Sequence, residues 1–333
     1  MFRQIPYVGS FQRGFHIRKG DPLGTCWRYI ARIGTIDSLT RIAAQRGHDA
    51  SLAKKASLRI RQAIELRTAS TGTSELTRPL LLYYSALNLT RGIMLAYMGE
   101  AGRSHGLQFF GDRDLLRCSA TVSTKGTFGL FARSVDSTLD LTGKALSLRD
   151  LISLLPELRH DFPLLKSGRP SVVAVKIVAW IQGDMFLRFL SPDYLREEFD
   201  ARWSEMFFWF KDICELDPNT PFTLRVKEKP LNETAIGDFC RKYLFGELEW
   251  RPDAVWYDHI ARDNVPLVKR LPAYLAALFI LSNVVRYEPE LVEPPSLDST
   301  DLGYVITELL NSAERYFPQL VLELVMGQPW FFE

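Results

Sequence analysis

Apolar residues recur at helical intervals through the first hundred positions. Trp27, Ile30, Ile33, Leu39 and Ile42 predict helix across Thr25 to Gln45, with a break near Gly34 and an end at Gly47. Asp49 is a candidate cap for the next helix, where Leu52, Ala56, Ile60, Ala63 and Leu66 share one face and the opposite face is basic. After a TGTS turn, Ser74 and Glu75 open a third helical stretch, PLLLYYSALNLTRGIMLAYMG, in which the early Pro79 is tolerated because first-turn amides lack intrahelical partners. This stretch is apolar on almost every side, so other elements must surround it.

From Leu107 to Leu141 the helical period disappears. Thr, Val, Ser, Phe and Gly dominate CSATVSTKGTFGLFARSV, and Lys125-Gly126 is a turn signal, so a hairpin is expected there. A short helix over Ser147 to Leu155 precedes Pro156. The β-branched run SVVAVKIVAWIQG and the segment FTLRVKEK (Phe222 to Lys229) predict strands. Helices are expected for PDYLREEFDARWSEMFFWF and for Asn232 to Phe245, with Asn232 as cap. Leu267 to Tyr287 returns to an apolar helix, an acidic Pro-rich loop follows, and Asp301 to Tyr316 and Gln319 to Met326 complete the chain in helix.

The two highly apolar helices lie far apart in sequence and both need cover. The expected fold is therefore α+β and mainly helical: a helical bundle core formed by an N-terminal part (1–104) and a C-terminal part (251–333), with a mixed α/β insertion (105–250) in the middle, most simply one intertwined unit.

The 333 residues, 47% hydrophobic and 24% charged, belong to the ordinary globular class. Forty-one Lys and Arg against thirty-nine Asp and Glu leave a net charge of +2, so no global field draws the molecule to nucleic acid or anionic lipid. The segment Leu271 to Val285 is shorter than the roughly 20 residues that cross a bilayer, so it predicts a core helix and no membrane partner. The N-terminal twenty residues show no secretory signal pattern, and Cys26, Cys118, Cys214 and Cys240 stand singly, without a CxxC pair. Reduced thiols and a cytoplasmic location are the expectation.

Phosphate-loop, dinucleotide, nucleophile-elbow and HExxH motifs are all missing. His16, His48, His105, His160 and His259 show no close helical spacing for a metal, and nothing implies a cofactor. The acidic pairs Glu197-Glu198 and Asp212-Glu215 read as solvated faces, and Arg41 with His48 as a helix end rather than a ribonuclease pair. Polar residues inside the apolar helices carry more information, because each needs a partner when buried. Tyr84, Asn88 and Arg91 share one helical face, and Ser282 and Arg286 share another. Packed together, these helices would bring Asn88, Arg91, Ser282 and Arg286 into a polar pocket suited to an anion or nucleotide. A hydrogen-bond network that only sets helix register is the alternative. His105-Gly106, at the exit from the first helical part, either caps it or reaches that pocket.

Several of these segments also carry a family resemblance. RPLLLYYSALNLTRGIMLAY, then SHGL with KGTFGLF, then FILSNVVRYEPELVE and RYFPQLVLELV together resemble the bacterial YaaC-like family from about Ala53 to Leu324. The telling element is Arg-Tyr-x-Pro at Arg286, Tyr287, Glu288 and Pro289, where Glu288 stands in place of the common serine. The resemblance implies a bacterial protein without a settled biochemical activity. More loosely, the paired helices around PLLLYYSALNL resemble HEPN-type proteins, many of which bind or cut RNA in toxin and antiviral systems. The Arg-polar-x-x-x-His motif of that group has no counterpart here, since Arg286 is followed by YEPELV.

Three functions remain open on the sequence. The first is a HEPN-like RNA- or nucleotide-binding protein acting in antiviral defence, with Arg91 and Arg286 on phosphate, Tyr84 or Tyr287 stacking, and His105 or His259 available for catalysis. The second is a protein-interaction or structural module that contacts a partner through the Glu288–Asp301 loop. The third is a small-metabolite enzyme whose pocket is assembled from distant residues.

Overall fold

The computed structural model describes residues 15–17, 21–137, 140–179, 183–190, 196–229, 232–244, 246–249, 255–261, 265–292, 300–326 and 330–332. In chain order the elements begin with β1 (Phe15–Ile17), α1 (Pro22–Ile33), α2 (Ile36–Gln45), α3 (Leu52–Ser70) and α4 (Arg78–Met98). There follow β2 (Leu107–Phe110), β3 (Ser119–Val122), α5 (Thr127–Val135), β4 (Ala145–Ser147), α6 (Leu148–Ser153), β5 (Val172–Ala179) and β6 (Met185–Leu190). The rest are α7 (Arg196–Met206), β7 (Cys214–Leu216), β8 (Thr223–Val226), α8 (Glu233–Tyr243), β9 (Gly246–Glu249), β10 (Val255–His259), α9 (Arg270–Tyr287), α10 (Asp301–Met326) and β11 (Trp330–Phe332). The fold is mainly helical α+β.

Two compact units divide these elements: a helical unit of Lys19–Gly168 with Val268–Gly327, and a sheet unit of Met1–Arg18, Arg169–Leu267 and Gln328–Glu333. The interval 105–250, read from the sequence as one mixed segment, is thus divided at Arg169. Its first part stays with the helices because α5, α6, β2 and β3 all pack on α9, burying Phe128, Phe131, Leu148, Leu151 and Ile152.

In the helical unit α4 packs on α3, α9, α10 and α2, and α9 is buried from Arg270 to Val284. Helix starts follow local chemistry. The Asp21 carboxylate accepts from the Gly24 amide at 2.7 Å with Pro22 at the first position, and Thr35 Oγ1 accepts from the Ser38 amide. Gly92 lets α3 and α4 approach closely, because a Cβ there would lie 2.7 Å from Ile60 Cγ1 and 3.0 Å from the Ala56 carbonyl oxygen. Between α9 and the rest of the unit, Arg270 and Glu157 form a buried ion pair, and the Tyr316 ring lies 4.7 Å from the guanidinium carbon.

Two expectations need correction. The hairpin turn at Lys125-Gly126 is instead the entry to α5, where Thr127, Phe128, Phe131 and Ala132 bury one helical face; β3 pairs antiparallel with β2 and β4. The break expected before Gln319 is absent, and α10 runs through Pro318. A proline interior to a helix forfeits one backbone bond, and burial of Phe317, Pro318, Val321 and Leu322 in the unit's core holds the helix together across that gap.

The sheet unit contains a six-stranded antiparallel sheet in the order β7-β8-β6-β5-β10-β9, and β1 pairs parallel with β11. Its core face carries Val173, Val175, Ile177, Leu187, Phe189 and Leu224, packed against Phe199, Phe207, Ile236 and Cys240. Strict alternation puts these apolar residues on one face. The Asn232 side chain accepts from the Ala235 amide and caps α8, as its sequence predicts. Among the described residues, no helix is long and apolar enough to cross a membrane.

Candidate functional site

Two separated glycine motifs meet in the helical unit. The segment from Gly102 to Gly106 crosses the entry to α5 so closely that a Cβ on Gly126 would lie 2.4 Å from the Gly106 Cα, and one on Gly102 would lie 2.2 Å from the Thr127 nitrogen. Gly126 sits at φ 126° and ψ 179°, backbone that only glycine adopts readily. Bonds from the Thr127 amide to the Ser104 carbonyl (3.1 Å), from the Phe128 amide to the His105 carbonyl (3.0 Å) and from the Ser123 amide to the Gly106 carbonyl (3.0 Å) stitch the crossing together. The buried Thr127 hydroxyl lies within hydrogen-bond distance of the Gly102 and Ser104 carbonyls as well.

Arg91 ties this crossing to α4. Its Nε donates to Thr127 Oγ1 at 3.0 Å, and one terminal nitrogen donates to the carbonyls of Arg103 (3.1 Å) and Ser104 (3.0 Å). His105 is thereby held over the aromatic face of α4, and the Tyr83 hydroxyl hydrogen-bonds its Nδ1. The imidazole lies 5.6 Å from the Tyr83 ring, 6.3 Å from Tyr84 and 5.8 Å from Phe279 on α9.

Burial pushes the proton affinity of His105 below the ordinary histidine value, and the Arg91 and Arg286 guanidiniums push it in the same direction. Tyr83, almost fully buried, is shifted well above the usual phenol range, chiefly by burial. Arg91 is lowered by burial and by the charge of Arg59. Arg59 donates to Asn88 Oδ1 at 2.9 Å. Among the described residues, neither Arg59, Arg91 nor Arg286 has a carboxylate in ion-pair range, whereas Arg67, Arg78 and Arg270 in the same unit all do.

The sequence-derived candidates separate accordingly. Arg91, Arg286 and His105 share one electrostatic neighbourhood, with Tyr84 on its edge. Tyr287, 65% exposed, lies beside Arg286, whose guanidinium carbon is 5.2 Å from its ring centre. Arg286 donates to the Ser282 carbonyl (2.9 Å) and to Asn283 Oδ1 (3.0 Å). Asn88 also donates to the Tyr84 carbonyl, and the fully buried Ser282 hydroxyl donates to the Phe279 carbonyl, so these two serve the helices themselves. His259 is fully buried in the sheet unit, 6.0 Å from the Tyr257 ring, on a different unit from His105.

Other candidates have local partners. His48 Nε2 lies 3.1 Å from the Tyr97 carbonyl, and Arg41 reaches Ser38. Glu198 pairs with Arg202 and Glu215 with Arg225. All four cysteines are buried, and burial raises the Cys26 and Cys214 thiols to about 12. Of the Glu288–Asp301 loop, residues 293–299 lie outside the described residues. A cleft lined by Pro79, Leu281, Val292, Tyr304 and Ile306 shares no residue with the arginine cluster. Among the described residues no group of three or more His, Cys, Asp or Glu could hold a metal ion.

Sequence reasoning did not find Tyr83, Arg59, Asn283 or the glycine crossing. A signal for the crossing was present, because His-Gly and Gly-x-Phe are its two strands of backbone. A family model described as YaaC-like protein matches residues 36–325. No curated protein and no solved structure matches the chain.

Proposed function

The chain belongs to the YaaC-like family, and we propose that its helical unit binds the phosphate of a nucleotide, free or within RNA, at the Arg91–His105–Arg286 cluster. The observation that carries this reading is that Arg59, Arg91 and Arg286 have no carboxylate in ion-pair range among the described residues, while Arg91 braces the backbone that carries His105; burial, and then the charges of Arg91 and Arg286, lower the proton affinity of that histidine. Gathering like charges is unfavourable unless something answers them, and arginine is the side chain best matched to phosphate. Tyr287 and Tyr84 supply aromatic faces beside the cluster, suited to stacking a base. The proposal concerns binding and assigns no reaction.

The test compares wild type with Arg286→Ala, each first shown by circular dichroism to be folded. Both are titrated with end-labelled RNA and with a labelled mononucleotide. Among the described residues Arg286 bonds only to its own helix, so the variant should keep its fold and lose about tenfold or more in affinity, as expected for a charge-assisted contact. Binding that is absent in folded wild type, or unaltered in the variant, refutes the proposal. RNA bound without the mononucleotide, or the reverse, identifies which source the site takes.

A further inference from the structure

The outer face of α3 is basic from Lys54 to Arg61. Lys54, Lys55, Leu58, Arg59, Arg61 and Gln62 are exposed there, opposite the buried Ala53, Ala56, Ile60 and Ala63. Glu65, the single acid of the helix, lies beyond the four cations. Among the described residues none of the four has a carboxylate in ion-pair range, and Lys54, Lys55 and Arg61 make no side-chain hydrogen bond. The excess is regional: from Pro22 to Ser70 nine Lys and Arg stand against three Asp and Glu, whereas the whole chain has 41 against 39. Helical geometry puts Lys55 one turn from Arg59, about 5–6 Å, and Lys54 two turns from Arg61, about 10 Å. Two rows of cations therefore run along the helix, and the Lys55–Arg59 row leads to α4. Arg59 donates to Asn88 Oδ1 at 2.9 Å, and a Cβ on Gly92 would lie 3.4 Å from the Arg59 Cβ. That contact sets the row beside Arg91, which adjoins Gly92 and follows Asn88 by one helical turn.

We infer that this face is a docking surface for the sugar-phosphate backbone of a nucleic acid strand, which runs along Lys54, Lys55, Arg59 and Arg61 and reaches Arg91. The inference rests on the phosphate-binding reading above for its anchor and narrows the ligand from a nucleotide to a polynucleotide. A mononucleotide carries its charge at one point and cannot span two helical turns. A strand carries one phosphate per nucleotide, so successive charges meet successive cations, and release of the counterions those phosphates hold drives the binding. Other anionic partners suit the face less well. A membrane surface takes up an amphipathic helix by its apolar side, and the apolar side of α3 is packed on α4 and α2. A protein interface needs an apolar centre inside its polar rim, and Leu58 is the one large apolar residue among these exposed positions. Contacts of this kind position a backbone and read no base, so the surface is indifferent to sequence.

The experiment is fluorescence anisotropy of the full chain with labelled single strands of about 20 nucleotides, RNA and matched DNA, and with a labelled mononucleotide, over a series of salt concentrations. The triple variant Lys54→Gln, Lys55→Gln, Arg61→Gln removes three charges that make no hydrogen bond in the fold, with a residue of good helix propensity. It should lose about tenfold or more in strand affinity at low salt, with a salt slope shallower by about 2, and bind the mononucleotide as wild type does. The charge-conserving variant Lys54→Arg, Lys55→Arg, Arg61→Lys should bind the strand normally. The two strands identify which backbone the surface takes. A strand affinity and salt slope unchanged in the glutamine variant overturn this inference, and binding that still depends on Arg286 then leaves the phosphate-binding reading standing. A loss shared equally by the charge-conserving variant overturns it, because a contact to phosphate charge survives that exchange. Phosphatidylserine vesicles or poly-glutamate bound more tightly than either strand overturn it in favour of a membrane or an acidic protein. Strand binding that needs the α3 cations but is indifferent to Arg286 overturns the cluster reading and leaves the α3 surface. Absence of strand binding by folded wild type overturns the surface, and absence of mononucleotide binding as well overturns both.

Discussion

Substituting Gly126 by alanine tests whether the glycine crossing holds His105 in place. The added Cβ meets Gly106 Cα at 2.4 Å, Gly106 N at 2.5 Å and Ser104 Oγ at 2.7 Å, and two of those three atoms are backbone that cannot swing aside. The backbone at φ 126° and ψ 179° adds its own penalty for an L side chain. Strain of about 1–3 kcal/mol and overpacking of about 1–3 kcal/mol combine to roughly 4 kcal/mol. In a domain of this size that corresponds to a drop in Tm of about 10 °C, unless the Gly102–Gly106 segment detaches locally first. Either way the Phe128 amide, bonded to the His105 carbonyl, loses hydrogen-exchange protection. Gly129→Ala is the control on the same helix: its Cβ would meet only ordinary contacts, the nearest the Ser123 carbonyl at 3.6 Å. That variant should be neutral or more stable by up to about 1 kcal/mol, the usual helix preference for alanine. Thermal melting by far-UV circular dichroism and exchange measured by mass spectrometry read both effects. A Gly126→Ala protein that melts with wild type and keeps Phe128 protected refutes the reasoning.

Two other perturbations follow from the same unit. Glu157→Gln leaves the Arg270 guanidinium buried without its counter-charge; it should cost about 3–5 kcal/mol, and replacing both residues by apolar ones of similar volume should recover most of that loss, as denaturant titration of the single and double variants will report. For His105 the folded proton affinity lies below the unfolded one, so the folded state binds fewer protons and its stability contribution is present above the unfolded pKa and lost as pH falls through the folded value. His105→Gln should therefore flatten the acid side of the stability profile below the ordinary histidine range, and an unchanged slope there would count against the electrostatic reading.

Helices were legible chiefly by periodicity: α3, α4, α6, α8 and α9 lie where the sequence predicts them, and Asn232 caps α8 as expected. Asp49 does not cap α3, whose N-cap position is Ser51 without a side-chain capping bond; the Asp49 carboxylate bonds the Ser51 amide and hydroxyl instead. The start of α1 at Pro22 was obscured by Gly20 and Gly24, although Asp21 followed by proline is a helix-start signature and does cap it. Of the six-stranded sheet, β5 and β8 were legible from β-branched residues, while β6 and β10 (MFLRFL and VWYDH) were not. Their Phe, Trp, Tyr and Met suit either secondary structure, and pairing with β5 decides the matter. Gly126 misled for a related reason. A glycine with positive φ reads as a turn, yet here its lack of a side chain serves another backbone passing over it.

The site was half legible for the same physical cause. Spacing put Tyr84, Asn88 and Arg91 on one face of α4, but a helix apolar on almost every side has no outer face from which to orient it, and the tyrosine that bonds His105 is the neighbouring Tyr83. Asn88 reads as a pocket residue until α3 is in place and Arg59 is seen to bind it. Arg91 has two employments that one sequence cannot separate. With Nε and one terminal nitrogen it braces the crossing that carries His105, and its remaining charge acts on the imidazole it has placed there. A lysine would retain the charge but not the planar fork that makes both possible. Arg91→Lys should therefore loosen the crossing while leaving the site cationic, which separates the residue's architectural role from its electrostatic one.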